Sequence, residues 1–254
     1  MFKFTTFALS ALTLQLSLFA TPQELFNSVQ NEMTLENGIR QHIVNFSNNT
    51  LTHSTQELAL NLFEDITLIA VQDSVKIKGD NHFTWFGHIK EKQNSMVTLL
   101  VKNDKIVGDI QVDGKTYTIK TIWNDVILTE ESQPPFEVLD NLNHLENAPT
   151  SSSNISIPNA ALSEDGSTGS VIDIMIVYTA DAANEMGDTQ SSIELAIDKA
   201  NLASSNSNIN TQLRLVHALE VDYVEPTSSD CTLDTYLTDI QGQNDGKLDD
   251  IHNI

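Results

Sequence analysis

The chain is poor in cysteine, in basic residues and in long apolar runs, and each shortage excludes something. Among 254 residues there is one cysteine, Cys231. One thiol builds neither a disulfide framework nor a cysteine-rich zinc site within the chain. Thirteen Lys and Arg stand against 35 Asp and Glu, a formal charge of −22. That balance argues against nucleic acid and against anionic membrane surfaces as partners, since both reward basic patches. Apolar residues make up 40% of the chain. This is too many for a disordered protein, and they are too dispersed for a multi-span membrane protein.

The acidic excess is uneven. Residues 1–120 hold ten basic and twelve acidic side chains; residues 121–254 hold three basic (Lys199, Arg214, Lys247) and 23 acidic. Two compositionally different pieces are expected, the second soluble and self-repelling.

At the amino terminus, Lys3 precedes a mostly apolar run from Phe4 to Phe19 that ends at Ala20, followed by Thr21-Pro22. This layout predicts a secretory signal peptide, residues 1–20, cleaved between Ala20 and Thr21, with Leu18 standing where an ideal site has a small residue. A membrane anchor is the alternative, but the run is short and polar-spotted for a span. The expected location is therefore secreted, extracellular or periplasmic, with no membrane association after cleavage.

Residues 21–133 read as a β-rich domain. Its first part, Pro22 to Phe46, has helical spacing of apolar residues (Leu25, Phe26, Val29, Met33, Ile39, Ile43), which predicts an N-terminal helix or two short ones around Gly38. From Leu58 the period becomes two, with runs through Ile66–Ile77, Phe83–Ile89, Met96–Val101, Ile106–Val112, Tyr117–Trp123 and Val126–Leu128. Turn signals separate them at Gly79-Asp80-Asn81, Asn103-Asp104, Asp113-Gly114 and Asn124-Asp125. An antiparallel meander, closed or curled over one core, is expected. His82 and His88 flank Trp85. A metal or carbohydrate site and a pair of edge histidines beside core aromatics are both open, and the lack of an evident third ligand favours the latter. Trp85, Tyr117 and Trp123 are read chiefly as filling the meander's core, with an aromatic contact surface as the alternative.

Residues 134–170 are rich in Ser, Asn, Pro and Gly and read as an exposed linker. Beyond it, Val171 to Tyr178 is a nearly continuous apolar run, expected as a strand buried on both faces. Thr179 is a candidate cap for a short helix ending at Gly187. Asp188 to Asn206 is expected to be helical, with Ser191 and Glu194 as a capping box. Ile209 to Val224 returns to strand, placing His217 on an apolar face, where it reads as a core histidine. Asp173 interrupts a buried strand and needs a partner. The loop Gln241 to Gly246 is no EF-hand, because Gln241 and His252 occupy the positions of the first Asp and the last Glu.

Five short pieces in order carry a family likeness: Val177-Tyr178-Thr179, Asn201, Ser207-Asn208-Ile209-Asn210, Leu213-Arg214-Leu215-Val216 and Val221-Asp222-Tyr223. Together they resemble the start of the catalytic domain in secreted bacterial zinc metalloproteases of the reprolysin-like metzincin group, peptidyl-Asp metalloendopeptidases being the nearest sort. The resemblance covers residues 171–254, and the β-rich region resembles the family's propeptide. It implies an α+β chain: an N-terminal helix plus an antiparallel β-meander propeptide-like domain, then an incomplete α/β zincin N-subdomain. It further implies zinc as cofactor of the complete enzyme, protein or peptide substrates, and a propeptide that contacts the catalytic domain.

The motif that holds zinc in that group, HExxHxxGxxH, is not in this sequence. Its seven histidines (42, 53, 82, 88, 144, 217 and 252) include no pair four apart and none followed by Glu. No residue is therefore assigned to catalysis or to a metal, and no zinc is expected to bind at a catalytic site of this chain. Residues 171–254 are expected to be the first part of a domain truncated before its zinc helix. Cys231 is a candidate half of a disulfide, a free thiol being the alternative. Gly108-Asp109 resembles the Gly-Asp of aspartate-switch propeptides but lies inside the meander. A secreted non-catalytic binding or protease-inhibitor-like protein is the rival reading of the whole.

Overall fold

The computed structural model describes residues 22–35, 38–92, 94–132, 169–223, 238–242, 248 and 251. The period-two segment gives seven consecutive antiparallel strands: β4 (Glu57–Phe63), β5 (Ile66–Gly79), β6 (His82–Ile89), β7 (Met96–Lys102), β8 (Lys105–Val112), β9 (Lys115–Ile122) and β10 (Asp125–Ser132). The two-residue turns after β5, β7, β8 and β9 use positive φ, at Asn81, Asn103, Asp113-Gly114 and Trp123. Asp113 (51°) and Gly114 (75°) are both left-handed, the pattern whose twist suits a two-residue hairpin. The last turn is centred on Trp123-Asn124, one residue earlier than the sequence suggests.

The expected N-terminal helix is absent. Pro22 to Phe46 instead forms β1 (Gln23–Glu24), β2 (Phe26–Thr34) and β3 (Arg40–Phe46). The ten strands run in the order β1-β4-β5-β6-β7-β8-β9-β10-β3-β2. The two end strands, β1 and β2, are consecutive in the chain and separated by Leu25 alone, so the sheet curls into a nearly closed barrel. It is mixed, because β1 pairs with β4 in parallel.

Backbone and side-chain bonds finish the seam. Leu25 N–H donates to the Ala59 carbonyl (2.8 Å). The Asn61 amide donates to the Phe26 carbonyl (2.7 Å) and accepts from the Phe26 N–H (3.0 Å). Inside lies one apolar core that includes Leu25, Phe26, Leu58, Leu60, Trp85, Leu99, Ile110 and Leu128. The protein is thus mostly β, and the α+β expectation is overturned.

The second region contributes β11 (Ser170–Tyr178), α1 (Ala180–Met186), α2 (Thr189–Asn206) and β12 (Thr211–Glu220). Thr179 caps α1, its hydroxyl accepting from Ala182 N–H. Asp188 caps α2 by accepting from Ser191 N–H. Ser191 therefore lies inside the helix, and the expected capping box does not form. β11 and β12 pair in parallel. The Asn201 amide clips α2 to β12, donating to the Leu213 carbonyl (2.9 Å) and accepting from its N–H (2.7 Å).

This unit is not the expected α/β zincin subdomain. Its described part is one parallel strand pair, helices α1 and α2 and a helical turn at 238–241, with α2 lying against β7 and β8 of the barrel. β11 is not buried on both faces either: Val171, Ile172 and Met175 are exposed. A register shift opposite Ile174/Met175 leaves Val216 as an extra residue and turns His217 out to solvent.

Candidate functional site: the face where the barrel holds a helix

Cross-strand pairing builds a receptor on the outside of the barrel. Lys76 of β5 faces Thr84 of β6, Thr84 faces Leu100 of β7, and Leu100 faces Val107 of β8. A neighbouring row runs from His82 through Lys102 to Lys105. Side chains two apart on one strand share a face, so Lys76 and Lys78 both project outward while Leu99 and Val101 fill the core. This is why β7 is apolar along its length: Leu100 packs outside, with Val107, against Leu195 of α2.

Helix α2 brings a matching acidic pair, Glu194 and Asp198, one turn apart on one face. Glu194 accepts from Lys102 (2.7 Å) and Lys78 (3.2 Å) and bonds His82 Nε2 (2.7 Å). Asp198 meets Lys76 and Lys78, each at 2.7 Å, and accepts from the Thr84 hydroxyl at 2.5 Å. Its side chain is 2% exposed. Burial by itself raises both carboxyl pKa values. Hydrogen bonds outweigh it, from Lys102 and His82 at Glu194 and from Lys76, Lys78 and Thr84 at Asp198. Both groups therefore stay below the usual carboxylate range.

The flanks repeat the theme. Lys199 reaches Asp109 at 2.5 Å, and Lys105 lies 3.5 Å from Asp188. At the α1–α2 corner the Asp188 N–H donates to the Thr121 carbonyl of β9 (2.8 Å). Gly187, at φ 72°, allows this approach, because a Cβ there would lie 2.5 Å from the Thr121 oxygen.

The sequence-derived candidates land in different places. His82 belongs to this interface. His88 bonds Asp73 (2.8 Å) on the exposed side of the barrel. Trp85 is buried in the core, its indole N–H donating to the Thr55 carbonyl (2.9 Å), and Tyr117 is also core. Trp123 is not: it is 86% exposed, which corrects the core reading. Asp173 finds its partner in Arg214, with bonds of 2.6 and 2.8 Å. Asp109, of the Gly-Asp pair, is held by Lys199. Ala20, Thr21, Cys231, His252 and the linker from 134 to 168 lie outside the described residues. Among the described residues no group of three or more His, Cys, Asp or Glu gathers to hold a metal ion.

Sequence reasoning missed the interface itself. Its only traces were an acidic pair four apart on a helix and a lysine pair two apart on a strand, with nothing to join them.

Two curated proteins are similar to this chain. The peptidyl-Asp metalloendopeptidase of Stenotrophomonas maltophilia strain K279a is 28% identical over 201 residues, and that of strain R551-3 is 27% identical over 201. Each match takes in 72% of this chain and 46% of the relative. The chain therefore spans about half the length of the curated relatives it matches. No family model and no solved structure matches it. The similarity supports a metallopeptidase relationship.

Proposed function

We propose that the chain is the amino-terminal part of the precursor of a secreted, zinc-dependent metalloendopeptidase of the reprolysin-like group. On this reading residues 1–20 direct export and the barrel is a propeptide-like unit. Residues 134–170 link it to the beginning of the catalytic portion at 171–254. The observation that carries the reading is the seating of α2 on the barrel through Glu194, Asp198 and Leu195, as a propeptide would hold the unit it chaperones or inhibits. Similarity to two metalloendopeptidases supports it. It brings protein or peptide substrates and a metal, zinc, as expectations for the complete enzyme.

The described residues do not fit a catalytic zinc. His82 is taken by Glu194 and His88 by Asp73. His42 is buried and stacked on Phe63, whose ring also lies under the Arg40 guanidinium. A fixed cation beside an imidazole disfavours a second one. No step of peptide hydrolysis is assigned to these residues. Purified protein incubated with zinc is expected to leave casein intact, and EDTA-sensitive hydrolysis would overturn the reading.

The rival is a secreted non-catalytic binding or protease-inhibitor-like protein, favoured by one observation, the exposure of Trp123. The DNA downstream of codon 254 separates the two. A frame continuing into HExxHxxGxxH supports the precursor, and a stop without that motif supports the rival.

A further inference from the structure

Trp123 occupies a costly position. It is the first residue of the two-residue β9–β10 turn, with φ 58°. Glycine, asparagine or aspartate take that conformation readily, while a bulky side chain is strained there by ~1–2 kcal/mol. The ring is also 86% exposed, so no packing within the described residues offsets the strain. Residues held in strained backbone conformations cluster at ligand clamps and other functional sites.

The ring stands between two adjoining hollows. The larger, about 540 Å³, reaches across the ends of β3, β7 and β10 to the start of α2; the smaller, about 270 Å³, continues towards α1. Trp123, Lys105, Thr121 and Asp188 border both, so they form one elongated groove.

The lining chemistry narrows the ligand. Exposed amides of Asn103, Asn124 and Gln190 offer donors and acceptors together. The charged residues of the lining sum to zero, Lys102 and Lys105 against Asp104 and Asp188; Lys102 is held by Glu194, Lys105 lies beside Asp188, and the Asp104 carboxylate accepts from the neutral Asn48 amide. The lining therefore offers a charged ligand no cluster of opposite sign. A polypeptide is poorly served, because β3, β7, β8, β9 and β10 are each paired on both sides and leave no strand edge to extend. Trp123 is the one exposed aromatic of the lining, Phe46 being packed against the core, and the lining holds no arginine, so the groove suits neither proline-rich segments nor acidic motifs.

We propose that this groove is a binding site for a neutral oligosaccharide, one sugar ring stacking on the Trp123 indole while its neighbours exchange hydrogen bonds with Asn103, Asn124 and Gln190. The site is built jointly by the barrel and the start of α2, so it exists only while the two are docked. It is independent of the peptidase reading.

The chain has two tryptophans. Trp85 is buried, so acrylamide quenching of the purified protein reports Trp123. Cellohexaose, chitohexaose and maltohexaose are the probes. At least one is expected to protect Trp123 saturably. In calorimetric titration Trp123→Ala is expected to weaken that sugar at least tenfold, and Gln190→Ala severalfold, with circular dichroism unchanged. Trp123→Tyr, which keeps an aromatic face, is expected to retain most of the affinity and guards against a folding artefact. Protection by none of the three sugars, or equal affinity in Trp123→Ala, overturns the proposal. Saturable protection by a neutral Gly-Ser-Asn hexapeptide in their place also overturns it and assigns the groove to polypeptides.

Discussion

Asn61 stands in for a missing strand pairing with Phe26. One side-chain amide bonds both the N–H and the carbonyl of Phe26, as a neighbouring strand would, at the point where β1 ends and β2 begins. Phe26 is fully buried, so water cannot replace these bonds. Asn61→Ala is expected to cost ~2–4 kcal/mol, from two backbone groups left unpaired. Asn61→Asp, which keeps only acceptors, should cost about as much. Urea denaturation of the two variants checks this, and midpoints equal to that of the parent would contradict it.

Asp198 is the most buried charge of the barrel–helix interface. Asp198→Ala leaves Lys78 and Thr84 facing an empty site and is expected to destabilise the docked state by ~3–5 kcal/mol. Hydrogen exchange should show α2 amides losing protection while those of β6 and β7 keep theirs. Uniform loss across the barrel would mean that the two units unfold as one.

Acid is expected to act in two stages. His42 is buried, and that burial holds its pKa below the ordinary value of 6.5. Its contribution to stability is complete above the unfolded value and shrinks as pH falls through 6.5, because only the unfolded chain takes up the proton freely. Glu194 and Asp198, with depressed values, contribute above the unfolded carboxylate range and lose that contribution as pH falls through their folded values. A thermal melt series should therefore decline from pH 6.5 and fall again below about 4. His42→Phe, which keeps the stack on Phe63, should remove the first decline and leave the second.

Gly187→Ala tests the close approach at the α1–α2 corner. The added methyl group meets the Thr121 carbonyl at 2.5 Å and the Ile122 side chain at 2.8 Å, at a positive φ. A loss of ~2–3 kcal/mol is expected from strain and overpacking together. Gly114→Ala, whose Cβ meets nothing within 4 Å, should show only the cost of its positive φ.

Much of the barrel was legible. From Glu57 onward polar residues alternate with apolar ones in most strands, β7 excepted, and local turns punctuate them, so strand identity follows from neighbouring residues. Pro22 to Phe46 misled because β2 carries register shifts at Phe26/Val29 and at Gln30/Met33. Each shift breaks the period of two, and the apolar residues then recur at three and four, imitating a helix. The strand identity of this segment also depends on β10, some 85 residues away, which no local pattern reports. His217 failed for the same reason, since one bulge at Val216 reversed the faces beyond it. The site was hidden differently: Lys76 and Asp198 are ordinary surface charges until the fold opposes them.

The pairing of β10 with β3 also sets the order of events as the protein matures. The β2–β3 hairpin has no partner on its β3 side until Asp125 to Ser132 has emerged and folded back. Every other strand contact from β4 to β10 is between sequence neighbours and forms quickly. Ring closure, which spans nearly the whole domain, is the slow and late step. Until then two bare strand edges are open to other chains, and the most hazardous interval for aggregation ends only when the last strand arrives.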